Sequence, residues 1–268
     1  MAEDGGLPTV PAPVRTVAAV RYVTPLREGG SLPAIVEGDD DGLYVLKFRG
    51  AGQGPKALVA ELVAGGMART LGLPVPEIVL ATLDPELART EGDPEIQHLI
   101  RASAGLNLAL DYLPGAVAFD PVVEQVEADL ASAIVWFDAL VSNVDRTARN
   151  TNLLVWHRRL WLIDHGAALY FHHDWDGCLE RAARPFAPIR EHVLMPFATR
   201  IAEADARLAP RLTRPVLEAI LDQVPADWLC VDAPFTDPAA HRAAYVDYLC
   251  RRLSAREHFV AEALRARL

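Results

Sequence analysis

The sequence predicts an α+β fold of two lobes, a small sheet-rich N-terminal one and a mostly helical C-terminal one. Three observations carry this expectation. Short β-branched and aromatic runs, separated by Gly-, Pro- and Asp-rich turns, crowd the chain as far as Pro114-Gly115. Longer apolar stretches with helical start and stop signals dominate after Asp120. The chain has 268 residues, 51% hydrophobic and 23% charged, which suits one large domain or two closely packed lobes.

In order, Thr16–Thr24 reads as a strand, Glu28-Gly29-Gly30-Ser31 as a turn, and Leu32–Glu37 as the returning strand. Gly38–Gly42 is a second turn, followed by the compact strand Leu43–Phe48. Ala57–Leu71 has helical spacing, with Gly72 at the expected C-terminal cap and Pro74 and Pro76 beyond it. Pro76–Leu83 and Leu106–Leu113 are further strands, and Asp84–Pro94 is expected to be loop. Asp120-Pro121 is a helix start signal, Asp as cap and Pro at the first helical position, for an apolar helix running to Val141. Asn152–Trp156 and Leu160–Ile163 form a hairpin around the basic turn at His157-Arg158-Arg159. Arg200–Leu208, Pro215–Gln223 and Pro238–Leu268 have helical character. The expected organisation is a flexible tail over 1–14, one lobe over 15–114 and the other over 115–268.

The net charge of −10 disfavours a general nucleic-acid binder, which needs a Lys/Arg footprint. The acidic, Pro/Gly-rich N-terminus does not read as a signal peptide, and no apolar run is long enough to span a membrane. Three cysteines without metal-ligand spacing argue against a disulfide framework and point to a reducing cytoplasm.

The chemistry concentrates in Asn143-Val144-Asp145-Arg146-Thr147-Ala148-Arg149-Asn150-Thr151-Asn152 and in Leu162-Ile163-Asp164-His165-Gly166. An Asp and an Asn lie five apart on one loop, and a second Asp ends a nearby apolar strand. Phosphoryl transfer calls for such a set. A carboxylate, here Asp145, orients the attacking hydroxyl. Hard oxygen ligands, here Asn150 and Asp164, hold magnesium against the phosphate oxygens. Asn152 is a reserve ligand or a loop-fixing hydrogen bonder.

Asp145 and Asn150 with their four intervening residues resemble the catalytic loop of protein-kinase-like enzymes, and Asp164-His165-Gly166 resembles their metal-binding Asp-Phe-Gly segment. The two phrases together are most similar to HipA-like kinases, bacterial enzymes of the protein-kinase-like fold known as serine/threonine kinases. The similarity runs from about Arg15 to Tyr170, with specific motifs over about two dozen residues. It implies ATP and magnesium as cofactors and a hydroxyl acceptor, a protein Ser or Thr. It also implies that Lys47 binds the α/β phosphates, that Glu61 pairs with Lys47, and that Gly29, Gly30 and Ser31 cover the phosphates. Leu110–Leu113, with Asp111, would lie along adenine. Asn143-Val144 stands where protein kinases have His-Arg, and His165 replaces Phe.

Each residue also has a plainer reading. Lys47 could snorkel from an edge strand, Glu61 could be a solvated helix residue, and Gly29-Gly30 a simple hairpin turn. His165 reads as structural rather than as a base. His172-His173-Asp174 reads as loop or packing rather than as a metal site. Arg146 and Arg149 are structural counter-charges or phosphate contacts. Trp136 and Trp161 read as core. Two other functions share the pattern: a small-molecule kinase resembling aminoglycoside or lipid kinases, and a nucleotide-binding pseudokinase or interaction module.

Overall fold

Strands dominate the N-terminal part of the chain and helices the C-terminal part. The structure, a computed structural model, describes residues 12–26, 32–52, 54–231 and 233–267. β1 (Thr16–Pro25), β2 (Ala34–Gly38), β3 (Leu43–Lys47), β4 (Ile78–Leu83) and β5 (Gly105–Asp111) close into a barrel in the order β1-β2-β3-β5-β4. All pairings are antiparallel except β1 with β4. Alternation along β3 puts Tyr44 and Leu46 inside the barrel and Lys47 on the opposite face. Closure leaves no long exposed strand edge in this part of the chain.

Helix α1 (Pro55–Thr70) connects β3 to β4. Pro55 opens it at a position where its missing N–H costs nothing, and Gly72, at φ 80°, follows its end. The helix is buried on nearly all sides. At Gly65 a Cβ would sit 2.5 Å from Ile78 Cδ1, so the glycine allows β4 to lie against it. Buried residues of α1 share one continuous core with the C-terminal helices, whereas the barrel interior is a separate cluster. The segment expected to be loop, Asp84–Pro94, carries a 3-10 turn over Pro85–Thr90. Helix α2 (Pro94–Ala102) follows, started by the Asp93 carboxylate accepting from Glu95 N at 2.9 Å.

After the barrel, β6 (Val117–Ala118), β7 (Leu153–Trp156) and β8 (Arg159–Leu162) form a small second sheet. His157 and Arg158 turn the β7–β8 hairpin with φ of 48° and 63°, the left-handed pair that a two-residue hairpin needs. Helix α3 (Ala128–Val141) is apolar on every face and buried along nearly its whole length, the signature of a central helix. It does not begin at Asp120-Pro121 as the sequence suggests. Asp120 caps only Val122 N, at 2.9 Å; Val122 and Val123 stand exposed, and the backbone is extended at Glu127. A cap signal without an apolar face to bury makes a single turn.

Helices α4 (Cys178–Arg181), α5 (Ile201–Leu208), α6 (Arg214–Leu221), α7 (Pro238–Ser254) and α8 (Glu257–Ala266) follow. Of these, α5, α7 and α8 pack on α3, α4 packs on α7, and α6 packs on α7 and α1. The stretch of helical character from Pro238 forms two helices, broken at Ala255-Arg256. No helix among the described residues is long and apolar enough to cross a membrane. Trp136 is fully buried, and the three cysteines are unpaired and half-buried.

Candidate active site

Lys47 leaves the barrel on the face opposite Leu46 and meets two carboxylates. Its Nζ donates to Glu61 Oε2 at 2.6 Å and to Asp164 Oδ1 at 2.6 Å. Glu61 comes from α1 and is fully buried, Lys47 is 13% exposed, and Asp164, just past β8, is 43% exposed. Burial would pull the Lys47 ammonium down, but Glu61 and then Asp164 reverse this and raise it. Burial would likewise lift the Glu61 carboxyl, yet the Lys47 ammonium and then His165 hold it down to about 2. His165 N donates to Glu61 Oε2 at 2.8 Å, and its ring Nδ1 lies 3.3 Å from Oε1. Asp164 itself has φ 55°, a left-handed conformation that a non-glycine residue holds only where its surroundings compel it.

The catalytic-loop candidates converge beside this triad. Asn150 Nδ2 donates to Asp145 Oδ2 at 2.7 Å, and Asn152 Nδ2 donates to the same oxygen at 3.1 Å. Asp145, Asp164, Lys47, Gly166, Ala57 and Phe48 are among the residues around a cavity of about 350 Å³. A larger one, about 490 Å³, lies behind α1, where Arg69, Glu77 and Arg211 are among its walls. The smaller cavity holds the convergent ionisable groups, and chemistry follows those groups rather than size.

A second, sealed cluster holds the loop from beneath. Asp138, on α3, accepts from Asn143 Nδ2 at 3.0 Å and from Arg146 Nε at 2.6 Å. His192 Nε2 reaches the same carboxylate at 2.8 Å. Leu194 N donates to His192 Nδ1 at 3.0 Å, so the ring proton sits on Nε2 and points at Asp138. Arg146 also donates to the carbonyls of Asn152 and Ile163, tying the loop to both strands of the hairpin. Burial would raise the Asp138 carboxyl, but Arg146 and then His192 hold it far below the usual range. Burial lowers the His192 imidazole, with Asp138 opposing.

A sequence model of HipA-like kinases matches residues 19–262. The chain belongs to the HipA-like kinase family. Among curated proteins no relative matches the sequence. Among solved structures, the Helicobacter pylori proinflammatory kinase CtkA is similar at TM-score 0.58 and 14% identity, over 95% of this chain and 98% of that one. At that identity the likeness shows the fold. The Golgi casein kinase with Mn/ADP bound is similar at TM-score 0.48 and 12% identity, over 93% of this chain and 73% of that one, too distant to carry an argument.

In this HipA-like kinase, then, Lys47, Glu61, Asp164, Asp145 and Asn150 are brought into one neighbourhood. Gly29, Gly30 and Ser31 lie outside the described residues. Asp111 is not brought to Lys47. It pairs with Tyr44 in the β3–β5 ladder, on the face opposite Lys47. Burial raises its carboxyl, and Glu77 adds to this. Arg146 is a structural counter-charge, whereas Arg149 is exposed and has no ion-pair partner among the described residues. His172 is buried, with Nδ1 3.0 Å from the Tyr245 hydroxyl, and serves packing, whereas His173 is exposed. Sequence reasoning did not single out Asp138 or His192. A charged residue inside an otherwise apolar helix was the available signal for Asp138. Nothing in the local sequence marks His192, which arrives from 54 positions away.

Proposed function

We propose that this HipA-like kinase transfers the γ-phosphoryl group of ATP, with magnesium, to a hydroxyl acceptor, a Ser or Thr of a protein. The observation that supports it most is Lys47 Nζ poised 2.6 Å from both Glu61 and Asp164 at the mouth of a cavity that also holds Asp145. Residues 15–114 would act as a nucleotide-binding lobe and 115–268 as a catalytic lobe, closing on ATP between them, in a cytoplasmic setting consistent with unpaired cysteines.

Lys47 would hold the α/β phosphates, with Glu61 fixing its ammonium. Asp145 would orient the acceptor hydroxyl and take its proton. Asn150 spends its amide N–H on Asp145, which frees its carbonyl oxygen for a cation, and one Asp164 oxygen is likewise uncommitted to Lys47. No group of three or more His, Cys, Asp and Glu among the described residues forms a metal cage. That fits magnesium, which takes one or two protein oxygens and completes its shell with water and phosphate. Bound there, magnesium would neutralise charge on the phosphate oxygens.

The test is phosphate transfer by purified protein with ATP and magnesium, to protein and small-alcohol acceptors, wild type against Asp164→Ala. Metal-dependent transfer lost in the variant is the expected result. Transfer to small cationic alcohols alone would move the acceptor to the small-molecule class. No transfer and no nucleotide-induced thermal stabilisation would leave a binding scaffold and end the proposal.

A further inference from the structure

Resting on that reading of Lys47 and Glu61, we propose that His165 is a positioning residue: it grips both oxygens of Glu61 and so sets where Lys47 can stand. The backbone N–H of His165 reaches Oε2 at 2.8 Å and the ring Nδ1 reaches Oε1 at 3.3 Å. Lys47 takes the same Oε2 at 2.6 Å. Glu61 is 0% exposed, so water cannot replace either contact. A carboxylate on a long side chain, in a helix, is thereby fixed from the loop that also carries Asp164. The adjacent residues Asp164 and His165 address the two partners of one ion pair, Lys47 directly and Glu61 from behind. Displacement of this segment therefore shifts both ends of the pair together.

The tautomer follows from the surroundings. Glu61, ionised beside Lys47, has only lone pairs to offer, so Nδ1 must carry the proton that faces it. His165 Nε2 is buried with no hydrogen-bond partner among the described residues. A proton there would be an unpaired donor in a dry site, which Nδ1–H avoids. A phenylalanine could pack against Phe137 as the imidazole edge does, with centroids 6.0 Å apart at 76°, but could not reach Oε1 as a donor. The substitution of His165 for Phe in the metal segment thus adds a function instead of merely filling space.

Steady-state ATP kinetics of wild type, His165→Phe and His165→Asn, with ¹⁵N imidazole spectra of the resting protein, test this. Losing a hydrogen bond to a buried charge should cost His165→Phe about tenfold in kcat/KM for ATP. His165→Asn, which keeps an N–H donor, should retain most of the activity, and in a Glu61→Gln background the two variants should converge. The spectra should place the ring proton on Nδ1. A packing role predicts the reverse order, Phe near wild type and Asn impaired. That order, or a proton on Nε2, overturns the proposal. A wild-type protein that transfers no phosphate would remove the function proposed above, whereas normal wild-type transfer with undiminished His165→Phe kinetics would remove only this one.

Discussion

Two carboxylate–cation clusters flank the loop that carries Asp145, and they differ in what they leave exposed. Around Asp138, three side chains converge on one buried carboxylate, and Arg146 continues to two backbone carbonyls. Both partners of the Asp138–Arg146 pair have 0% side-chain exposure. Around Lys47, an ammonium with three N–H donors engages two partners among the described residues, and Asp164 is 43% exposed. The sealed cluster fixes backbone away from solvent, although Arg146 Nη2 is buried in it with no hydrogen-bond partner among the described residues. The open cluster keeps donor and acceptor capacity directed at a cavity. Similar residue types therefore serve opposite ends, and the difference lies in whether the cluster is buried throughout or opens on the cavity.

The largest expected effect separates chemistry from scaffold at the point where the clusters meet. Asp145→Asn keeps the side chain's size and one acceptor oxygen but removes the carboxylate. Phosphate transfer should fall by about 10²- to 10⁴-fold, while ATP–magnesium still stabilises the protein against thermal unfolding. Unchanged turnover would show that Asp145 is not the group that prepares the acceptor. It would also make the open cluster alone sufficient for the reaction.

Next comes the sealed cluster itself. Arg146→Met fills much of the same space but strands Asp138 without its main counter-charge. Removing one partner of a buried pair costs about 3–5 kcal/mol, because the remaining charge cannot be rehydrated. Denaturant unfolding should report a loss of that size. A double variant, Arg146→Met with Asp138→Leu, should recover much of it. A small loss in the single variant would mean that water reaches Asp138, and the contrast between sealed and open would fail.

How far the sequence foretold this arrangement depends on how local each feature is. The barrel strands and the 157–158 turn were legible, because alternation and turn chemistry are written in neighbouring residues. Asp145, Asn150 and Asp164 stood out by residue type and spacing, and the resemblance to the kinase pattern added Lys47 and Glu61; the structure brings the five into one neighbourhood. Three features were not. Asp120-Pro121 is a true cap followed by residues with no core to join, so α3 starts only at Ala128. Helix α2 follows the expected loop Asp84–Pro94 in a stretch to which the sequence reading assigned no element, although Asp93-Pro94 carries the same signal as Asp120-Pro121 and there succeeds. Ile96 and Ile100 supply the buried face that Val122 and Val123 lack. His192 reaches Asp138 across 54 positions, which no local pattern records, whereas Asp138 had a local signal, a charge inside an apolar helix, that was passed over.

The smallest expected effect concerns acid, and it sharpens the contrast by isolating one carboxyl of the open cluster. Glu61 has its folded-state pKa lowered from 4.5 to about 2: burial opposes the shift, and Lys47 and then His165 outweigh burial. A depressed carboxyl contributes stability that is present above the unfolded value and lost as pH falls toward the folded one. The window therefore runs from about pH 4.5 down to about pH 2. Glu61→Gln should be less stable at neutral pH, and its stability should fall less steeply through that window than that of the wild type. Parallel curves for the two proteins would place the acid sensitivity elsewhere. The sealed carboxylate Asp138, held lower still, would then be the group to substitute, and the cluster that touches the cavity would be electrostatically the more tolerant of the two.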